Sequence, residues 1–519
     1  MAISFAVLGA VVVLFVWNRI PVELVAVGAA LTLFATGVLE LPEALAGFGD
    51  PTTVFIATLF VVSEGLDAGG VTAWAGRRLV SRAGGSGGRL LVLIMMLVAV
   101  VTAFISVNGA VAALVPVGVM AAIRLGQSPS RLLLPLVFAA HAGSLLALTG
   151  TPVNVIVSDA AVDAGVGRFG YFDFALVGLP LLAGTVAIVM LFGDRLVPGR
   201  IPRSVPPDFS DHARTLVRQY GDGAAPVAGR DLFTSESGVA EVVVPPRSGM
   251  VGATVFPGMV TDSGTLVVLA VQRQGEDLGG GTVLQVGDTL LLEGSWDAFA
   301  DNLDDPDVLV IDPPELVRRQ TAPMGRRGRL ASVVLGGMVV LLLAGITPVV
   351  AGLLAAGAMV LLRVLTMPQA YKSVSWTTVV LVGGMIPLST AMQQSGAAEK
   401  MAELLVSAVG HGSPYLLLLG LCLLTATLGQ LISNTATALI VIPIAVSAAA
   451  DAGVSARPLL MAVTVAAAAS FLTPVATPAN LMVMGPGGYR FGDYWKLGLP
   501  LLTMFVLVGT FLVPVFWSF

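Results

Sequence analysis

The stretch GQLISNTATALIVIPIAVS, Gly429 to Ser447, decides how this chain is read. It is an apolar run into which Gln430, Ser433, Asn434, Thr435 and Thr437 are set within a few turns, none of them charged. Non-helical backbone at membrane depth is tolerated only where it is buried in protein or lines a cavity. The stretch therefore predicts a re-entrant hairpin with Ser433, Asn434 and Thr435 at its tip and Pro443 in its second arm.

The rest of the chain supplies the membrane context. Of 519 residues, 56% are hydrophobic and 11% charged, with a mean hydropathy of +0.91, well away from soluble domains. Runs such as SVVLGGMVVLLLAGI from Ser332 approach the ~20 residues that cross a hydrocarbon core. The first run, SFAVLGAVVVLFVW from Ser4, lacks the basic start and small-residue cleavage site of a signal peptide, so a first span is expected there. Cys422 is the one cysteine, which excludes an intrachain disulfide and a multi-thiolate metal centre. No GxSxG, HExxH or paired-Asp pattern lies in the apolar runs, so an intramembrane enzyme has no support and no cofactor is expected.

Composition shifts near Pro198 and again near Gly328, dividing the chain into a membrane half at 1–199, an insert at 200–327 and a second membrane half at 328–519. The insert alternates short Val/Leu runs with Gly, Pro and Asp turns and reads as a small soluble sheet-rich domain over about 232–312. The membrane halves align with each other. SVNGAVAALVPV from Ser106 lies on SNTATALIVIPI from Ser433, GTPVNVIV from Gly150 on ATPANLMV from Ala476, and RFGYFDFALVGLPLL from Arg168 on RFGDYWKLGLPLL from Arg490. Each half reads as three spans, a hairpin, an interrupted helix and a last span. Five crossings per half is odd, so the repeats are expected to be inverted.

The expected fold is thus an all-α polytopic membrane protein of two inverted repeats, each of five transmembrane helices plus one re-entrant hairpin, separated by a β-rich (α+β) insert. Basic residues agree with an orientation. With both termini external, Arg77, Arg78, Arg82, Arg89, Arg200, Arg203, Arg318, Arg319, Arg326, Arg327, Arg329 and Lys372 all fall on the cytoplasmic side together with the insert. Loops holding Asp50 and Asp159 are then external. These clusters read as topology determinants of a multi-pass cell-membrane protein before anionic-lipid sites.

Within each half the second polar element is a proline break. Pro474 and Pro478 interrupt FLTPVATPANLM and leave unpaired carbonyls and amides near Ala476 and Thr477; Pro152 does the same after Gly150 and Thr151. Two broken elements per half are expected to converge near the midplane, where unwound carbonyls suit a small hard cation and half-helix amino ends suit an anion. A lone Ser/Asn/Thr cluster is usually glue between helices; repetition at equivalent positions beside paired breaks favours a site. His141 is a candidate proton or anion ligand weighed against a hydrogen-bonded structural histidine, and Glu64 a candidate proton carrier weighed against an interfacial carboxylate.

Two resemblances rest on these residues. AEVVVPPRSGMVGATV, LVVLAVQRQGE and VLQVGDTLLLEGS, within about Val239 to Phe299, resemble one copy of the TrkA-C (RCK-C) regulatory domain. That resemblance implies a small nucleotide-like ligand and pairing between protomers. The Ser-Asn-Thr tip, the Thr-Pro-x-Asn breaks and their spacing resemble the divalent anion:sodium symporter family of the ion transporter superfamily. That resemblance implies a homodimer with an elevator mechanism, and places the anion at Ser106, Asn108, Gly109, Thr151, Pro152, Ser433, Asn434, Thr435, Thr477 and Pro478. It places sodium at Thr102, Ser106, Asn108, Gly150 and Asn154 in the first half, and at Gly429, Asn434, Ala476 and Asn480 in the second. The first motif departs from the pattern, because Val107 stands where the second has Asn434. The expected function is cation-coupled secondary transport, by Na+ or H+, of a small divalent anion, sulfate or a C4-dicarboxylate. An oxyanion exporter of the arsenite-permease type and a TrkA-C-regulated ion channel are the alternatives; against the channel, no TVGYG-like filter occurs.

Overall fold

The computed structural model describes residues 1–17, 19–72, 74–75, 78, 86–124, 127–200, 237–274, 276–278, 281–303, 306–311, 325–409 and 413–519. Arg77, Arg82, Arg203, Arg318 and Arg319, expected on the cytoplasmic side, lie outside these residues. The chain forms two compact units: Met1–Leu66, Ala75–Pro206 and Ala331–Phe519 make the first, and Asp67–Trp74 with Pro207–Leu330 the second.

The first half of the helical unit runs α1 (Ala2–Trp17), α2 (Val22–Ala35), the short α3 (Leu41–Leu45), α4 (Pro51–Ala68), α5 (Gly87–Thr102), α6 (Val107–Arg124), α7 (Ser130–Gly143), α8 (Pro152–Asp163) and α9 (Ala175–Leu196). After the insert, where α10 lies (Trp296–Asn302), the order recurs: α11 (Arg326–Leu343), α12 (Pro348–Leu361), the short α13 (Met367–Ser373), α14 (Trp376–Gln394), α15 (Ala397–Val409), α16 (Pro414–Leu428), α17 (Asn434–Asp451), α18 (Ala456–Ala467), α19 (Pro478–Met484) and α20 (Tyr494–Leu507). A π-helical turn, Val508–Leu512, joins α20 to α21 (Val513–Phe516). Among the described residues four helical stretches are long and apolar enough to cross a membrane, Leu41–Ala68, Ala175–Leu196, Asn434–Asp451 and Phe491–Phe516. A fifth, Met367–Ser373 with Trp376–Gln394, is bent by 56°. The remaining apolar helices are shorter, because proline, glycine and capping Ser or Thr residues cut the runs that the sequence presents as continuous.

α6 and α17, expected from sequence as hairpin arms, are longer than that reading implies. At about 1.5 Å per residue, α6 and α17, of 18 residues each, span roughly 27 Å, so α17 alone reaches the length of a membrane crossing. Asp159, read from sequence as a loop residue, sits inside α8; its carboxylate accepts a hydrogen bond from the Thr52 hydroxyl (2.6 Å) and faces Arg168 at 3.6 Å. The helix continues past the acidic residue because these two partners hold the charge at its end.

The two halves interlock. α8 of the first packs on α17 and α18 of the second, while α19 of the second packs on α6 and α7 of the first. α9 and α20 pack on each other, and each approaches its own half's break at a glycine. A Cβ on Gly178 would lie 2.3 Å from the Leu145 carbonyl oxygen, and one on Gly498 2.3 Å from that of Phe471. The close approach is possible only without a side chain. Outward faces carry exposed apolar residues such as Val13, Leu191, Val333, Leu361 and Val515, a surface matched to lipid.

The insert holds a five-stranded antiparallel sheet of β1 (Ser237–Val243), β3 (Leu266–Arg273), β4 (Glu276–Asp277), β6 (Thr289–Ser295) and β7 (Leu309–Val310) in the order β4-β3-β6-β1-β7. β2 (Thr254–Val255) pairs separately with β5 (Thr282–Val283). Val239, Val242, Val268, Leu290, Leu292, Trp296 and Phe299 form its core. Asp288, fully buried, receives Arg273 Nε at 2.7 Å, Arg273 Nη2 at 2.8 Å and the Gln285 amide at 2.7 Å. The Arg273 guanidinium beside it holds its carboxyl below the usual carboxylate range.

Candidate functional site

Four helix starts are capped by the polar residues singled out in the sequence. Ser106 accepts a hydrogen bond from the Gly109 amide (3.3 Å), and Ser433 accepts from the Ala436 amide (3.3 Å), at the same spacing. The two tips therefore share one register, and Val107 occupies the place of Asn434. At the breaks, Thr151 caps α8 by accepting from Val153, and Thr477 caps α19 by accepting from Asn480. Each cap leaves an amino end with a positive dipole facing the tip or break before it.

The breaks are built alike. Asn480 Nδ2 donates to the carbonyls of Ser470 (2.8 Å) and Thr473 (3.0 Å). Asn154 Nδ2 donates to those of Ser144 (2.9 Å) and Ala147 (2.8 Å), ten and seven residues back in both cases. Each asparagine thus closes the carbonyls that its proline break frees. Expected from sequence among the cation ligands, both have their amide nitrogens committed to this task, and both are fully buried. A Cβ on Gly150 would lie 2.2 Å from the Ser144 carbonyl oxygen, so the first break needs glycine there to fold back on itself.

Tip and break are joined differently in the two halves. In the second, Gln430 stitches them: Nε2 donates to the Ala426 and Ala469 carbonyls, Oε1 accepts from the Leu472 amide, and its own carbonyl accepts from the Thr473 hydroxyl. Beside it, the Ser470 hydroxyl lies 3.1 Å from the Gly429 carbonyl oxygen and 2.5 Å from Asn434 Oδ1. The Ala467 carbonyl, three residues back, stands 3.5 Å away, so three carbonyl oxygens and one hydroxyl share a single hydrogen, an oxygen-rich and donor-poor arrangement that a cation would satisfy. Ser470 is absent from the site expected on sequence, although the repeat aligns it with Ser144. In the first half, the Thr149 hydroxyl bonds the Ala103 carbonyl (2.9 Å) and Tyr171 Oη (2.7 Å), Ser144 turns back to the His141 carbonyl (2.8 Å), and Thr102 to those of Val98 and Ala99. The Ser144 and Thr102 hydroxyls serve their own helices, and Thr149 ties the first break to the end of α5 without engaging the tip side chains.

Among the described residues the side chains of Asn108 and Thr435 make no hydrogen bond, and Ser433, Pro478 and Asn108 are exposed at the element starts. Ser106, Gly109, Thr151, Pro152, Asn434 and Thr435 are half-buried, whereas Thr102, Gly150, Gly429, Ala476 and Thr477 are buried. His141, buried on α7, crosses between halves to Asn480 Oδ1 (3.1 Å) and Thr477 Oγ1 (3.4 Å). Glu64 lies in the last turn and a half of α4 and is half-buried. No Asp, Glu, Lys or Arg lies in Thr102–Gly109, Gly143–Asn154, Gly429–Thr437 or Ala467–Asn480.

Uncharged, capped helix breaks, two per half, inside interlocked apolar helices define a membrane transporter. The chain belongs to the citrate transporter family, CitMHS, whose model matches residues 12–411 and 405–519. It is 30% identical to the uncharacterized transporter YfbS of Escherichia coli (strain K12), over 99% of this chain and 98% of that protein. It is 28% identical to the uncharacterized transporter sll0640 of Synechocystis, over 99% and 97%. Sodium/sulfate cotransporter 1 of Chlamydomonas reinhardtii is 24% identical over 53% of this chain and 32% of its own length.

Proposed function

We propose that the chain is a sodium-coupled secondary active transporter of a small divalent anion, sulfate first and a C4-dicarboxylate second. The observation that carries this reading is the cluster of Gly429 O, Asn434 Oδ1 and Ser470 Oγ, which with the more distant Ala467 carbonyl has one hydrogen to share, next to amino ends of helices that carry no fixed positive charge. An anion placed there gains from helix amides and from a bound cation, which couples the two thermodynamically. Sodium is co-substrate here, and a proton is the other coupling ion to test. The sodium/sulfate cotransporter among the relatives supports the choice of ions.

In this reading the anion contacts Ser106, Asn108, Gly109, Thr151, Pro152, Ser433, Asn434, Thr435, Thr477 and Pro478. The strong cation site uses Gly429, Asn434, Ser470 and the Ala476 carbonyl, and a weaker one lies among Thr102, Ser106, Asn108, Gly150 and Asn154. The halves are inverted repeats that work as an elevator in a homodimer, with both termini external. The insert is a cytoplasmic TrkA-C-like domain with a small nucleotide-like ligand, and it regulates transport.

The test is purified protein in liposomes with labelled sulfate, succinate and citrate, each with and without an inward sodium or proton gradient. Sodium-driven accumulation of sulfate or succinate is expected. Accumulation of none of the three under either gradient would refute the reading, and single-channel currents in its place would establish a channel.

A further inference from the structure

His141 belongs to the first half by sequence and to the second by contact. Asn480 Nδ2 faces two carbonyls, those of Ser470 and Thr473, which only accept, so the orientation of its amide is determined. The atom left toward His141 is Oδ1, 3.1 Å from Nε2. An amide oxygen only accepts as well, so Nε2 must carry the hydrogen, which fixes the tautomer. Thr477 Oγ1 stands 3.4 Å from the same nitrogen, and the Phe471 ring meets the imidazole edge-on, centroids 5.8 Å apart.

The repeat provides an internal control. Ser144 and Ser470 occupy equivalent positions, and three residues before each stand His141 and Ala467. α18, which carries Ala467, packs on α8, which carries Asn154, as α7 packs on α19. Without a histidine there, Asn154 Oδ1 is buried and has no hydrogen-bond partner, whereas Asn480 Oδ1 has one.

We propose that His141 is a positioning residue of the second break. Its Nε2–H holds Asn480, Asn480 holds the Ser470 backbone, and the Ser470 hydroxyl then meets Gly429 O and Asn434 Oδ1. His141 thereby sets the affinity of the second-half site for the coupling cation, an inference that rests on the cation-coupled reading above. The sequence conceals this relay because its first link joins residues 339 positions apart.

The test compares full-length protein in liposomes with His141→Gln and His141→Met. Glutamine presents an amide N–H near the reach of imidazole Nε2; methionine keeps bulk and loses the donor. Loss of one buried hydrogen bond in the relay is expected to raise the sodium concentration for half-maximal uptake about tenfold in the methionine variant. The maximal rate stays unchanged, and the glutamine variant stays within about twofold of the unmodified protein. Amide hydrogen exchange across 469–480 should quicken in the methionine variant alone. Unchanged half-saturation and exchange in the methionine variant, or a glutamine variant as impaired as methionine, would overturn the proposal. If the unmodified protein accumulates no anion under any cation gradient, the transport reading falls, while the exchange comparison still decides whether His141 holds the break.

Discussion

Replacing Ser470 with alanine separates ion binding from folding. The side chain is fully buried, and its hydroxyl lies 2.5 Å from Asn434 Oδ1 and 3.1 Å from the Gly429 carbonyl. Alanine fills nearly the same space, so no cavity opens. What disappears without ligand is one internal hydrogen bond, worth a net ~1 kcal/mol. With sodium present, the site loses one of its few oxygen ligands, and the cost rises to about 1–3 kcal/mol, a roughly 5- to 150-fold increase in the sodium concentration for half-maximal uptake. Ser144→Ala is the matched control, because that hydroxyl donates to the His141 carbonyl of its own helix (2.8 Å). It should move the melting temperature as little as Ser470→Ala does and leave the sodium titration where it was. The assay is sulfate uptake into liposomes against external sodium, with melting temperatures recorded in detergent without sodium. Equal sodium curves for both variants and the unmodified protein would refute the assignment of Ser470 as a ligand; equal shifts in both would refute the asymmetry between the halves.

Asn434→Ala should abolish uptake at near-unchanged detergent stability, since Asn434 is only half-buried and its side chain bonds Ser470; a large fall in melting temperature would make the tip helix glue. Val107→Asn should steepen a cation dependence whose Hill coefficient is otherwise near ~1, by supplying the oxygen that each such site lacks at a cost of about 1–3 kcal/mol; an unchanged curve counts against a weak first site. In the insert, Asp288 is held below the usual carboxylate range by Arg273, so its stabilising contribution is complete above its unfolded value near ~3.9 and is lost as pH falls below it. Limited proteolysis of the insert should therefore accelerate on acidification below about pH 4 in the unmodified protein. Asp288→Asn should be cleaved faster at neutral pH with a flatter acid dependence, and identical acid profiles would discount the ion pair.

Local chemistry makes the breaks and tips legible. Pro152 and Pro478 stand at the first position of the helices after the breaks, Thr151 and Thr477 cap those helices, and Ser106 and Ser433 announce the helices after the tips. The internal alignment also sets Val107 against Asn434, and the unshifted caps support that register. The hidden part depends on partners distant along the chain. Ser144 and Ser470 are the same residue at equivalent places and each reaches the carbonyl three residues back, Ser144 at 2.8 Å and Ser470 at 3.5 Å, yet only Ser470 also meets the tip; Asn434 and Gly429 stand where the first half has Val107 and Thr102. The engagement of the Asn154 and Asn480 amides by carbonyls seven and ten residues back needs the fold of the break, which no propensity rule supplies. Asp159 reads as a loop residue because an acidic side chain near a span end suggests solvent when its Thr52 and Arg168 partners are unseen.

The interlocking of the halves also bears on biosynthesis. α8 finds its packing partners in α17 and α18, which begin at Asn434, and the first break cannot be enclosed until those helices leave the ribosome. At ~5–20 residues per second, translation of the chain between residues 163 and 434 occupies on the order of half a minute. Throughout that interval the nascent membrane segment carries a short helix of 12 residues and an unsealed loop with an uncovered asparagine. The insert is made within the same interval, so its sheet can form before the helices on either side of it are able to meet. Synthesis of this chain therefore imposes a waiting state between the first break and the helices that enclose it.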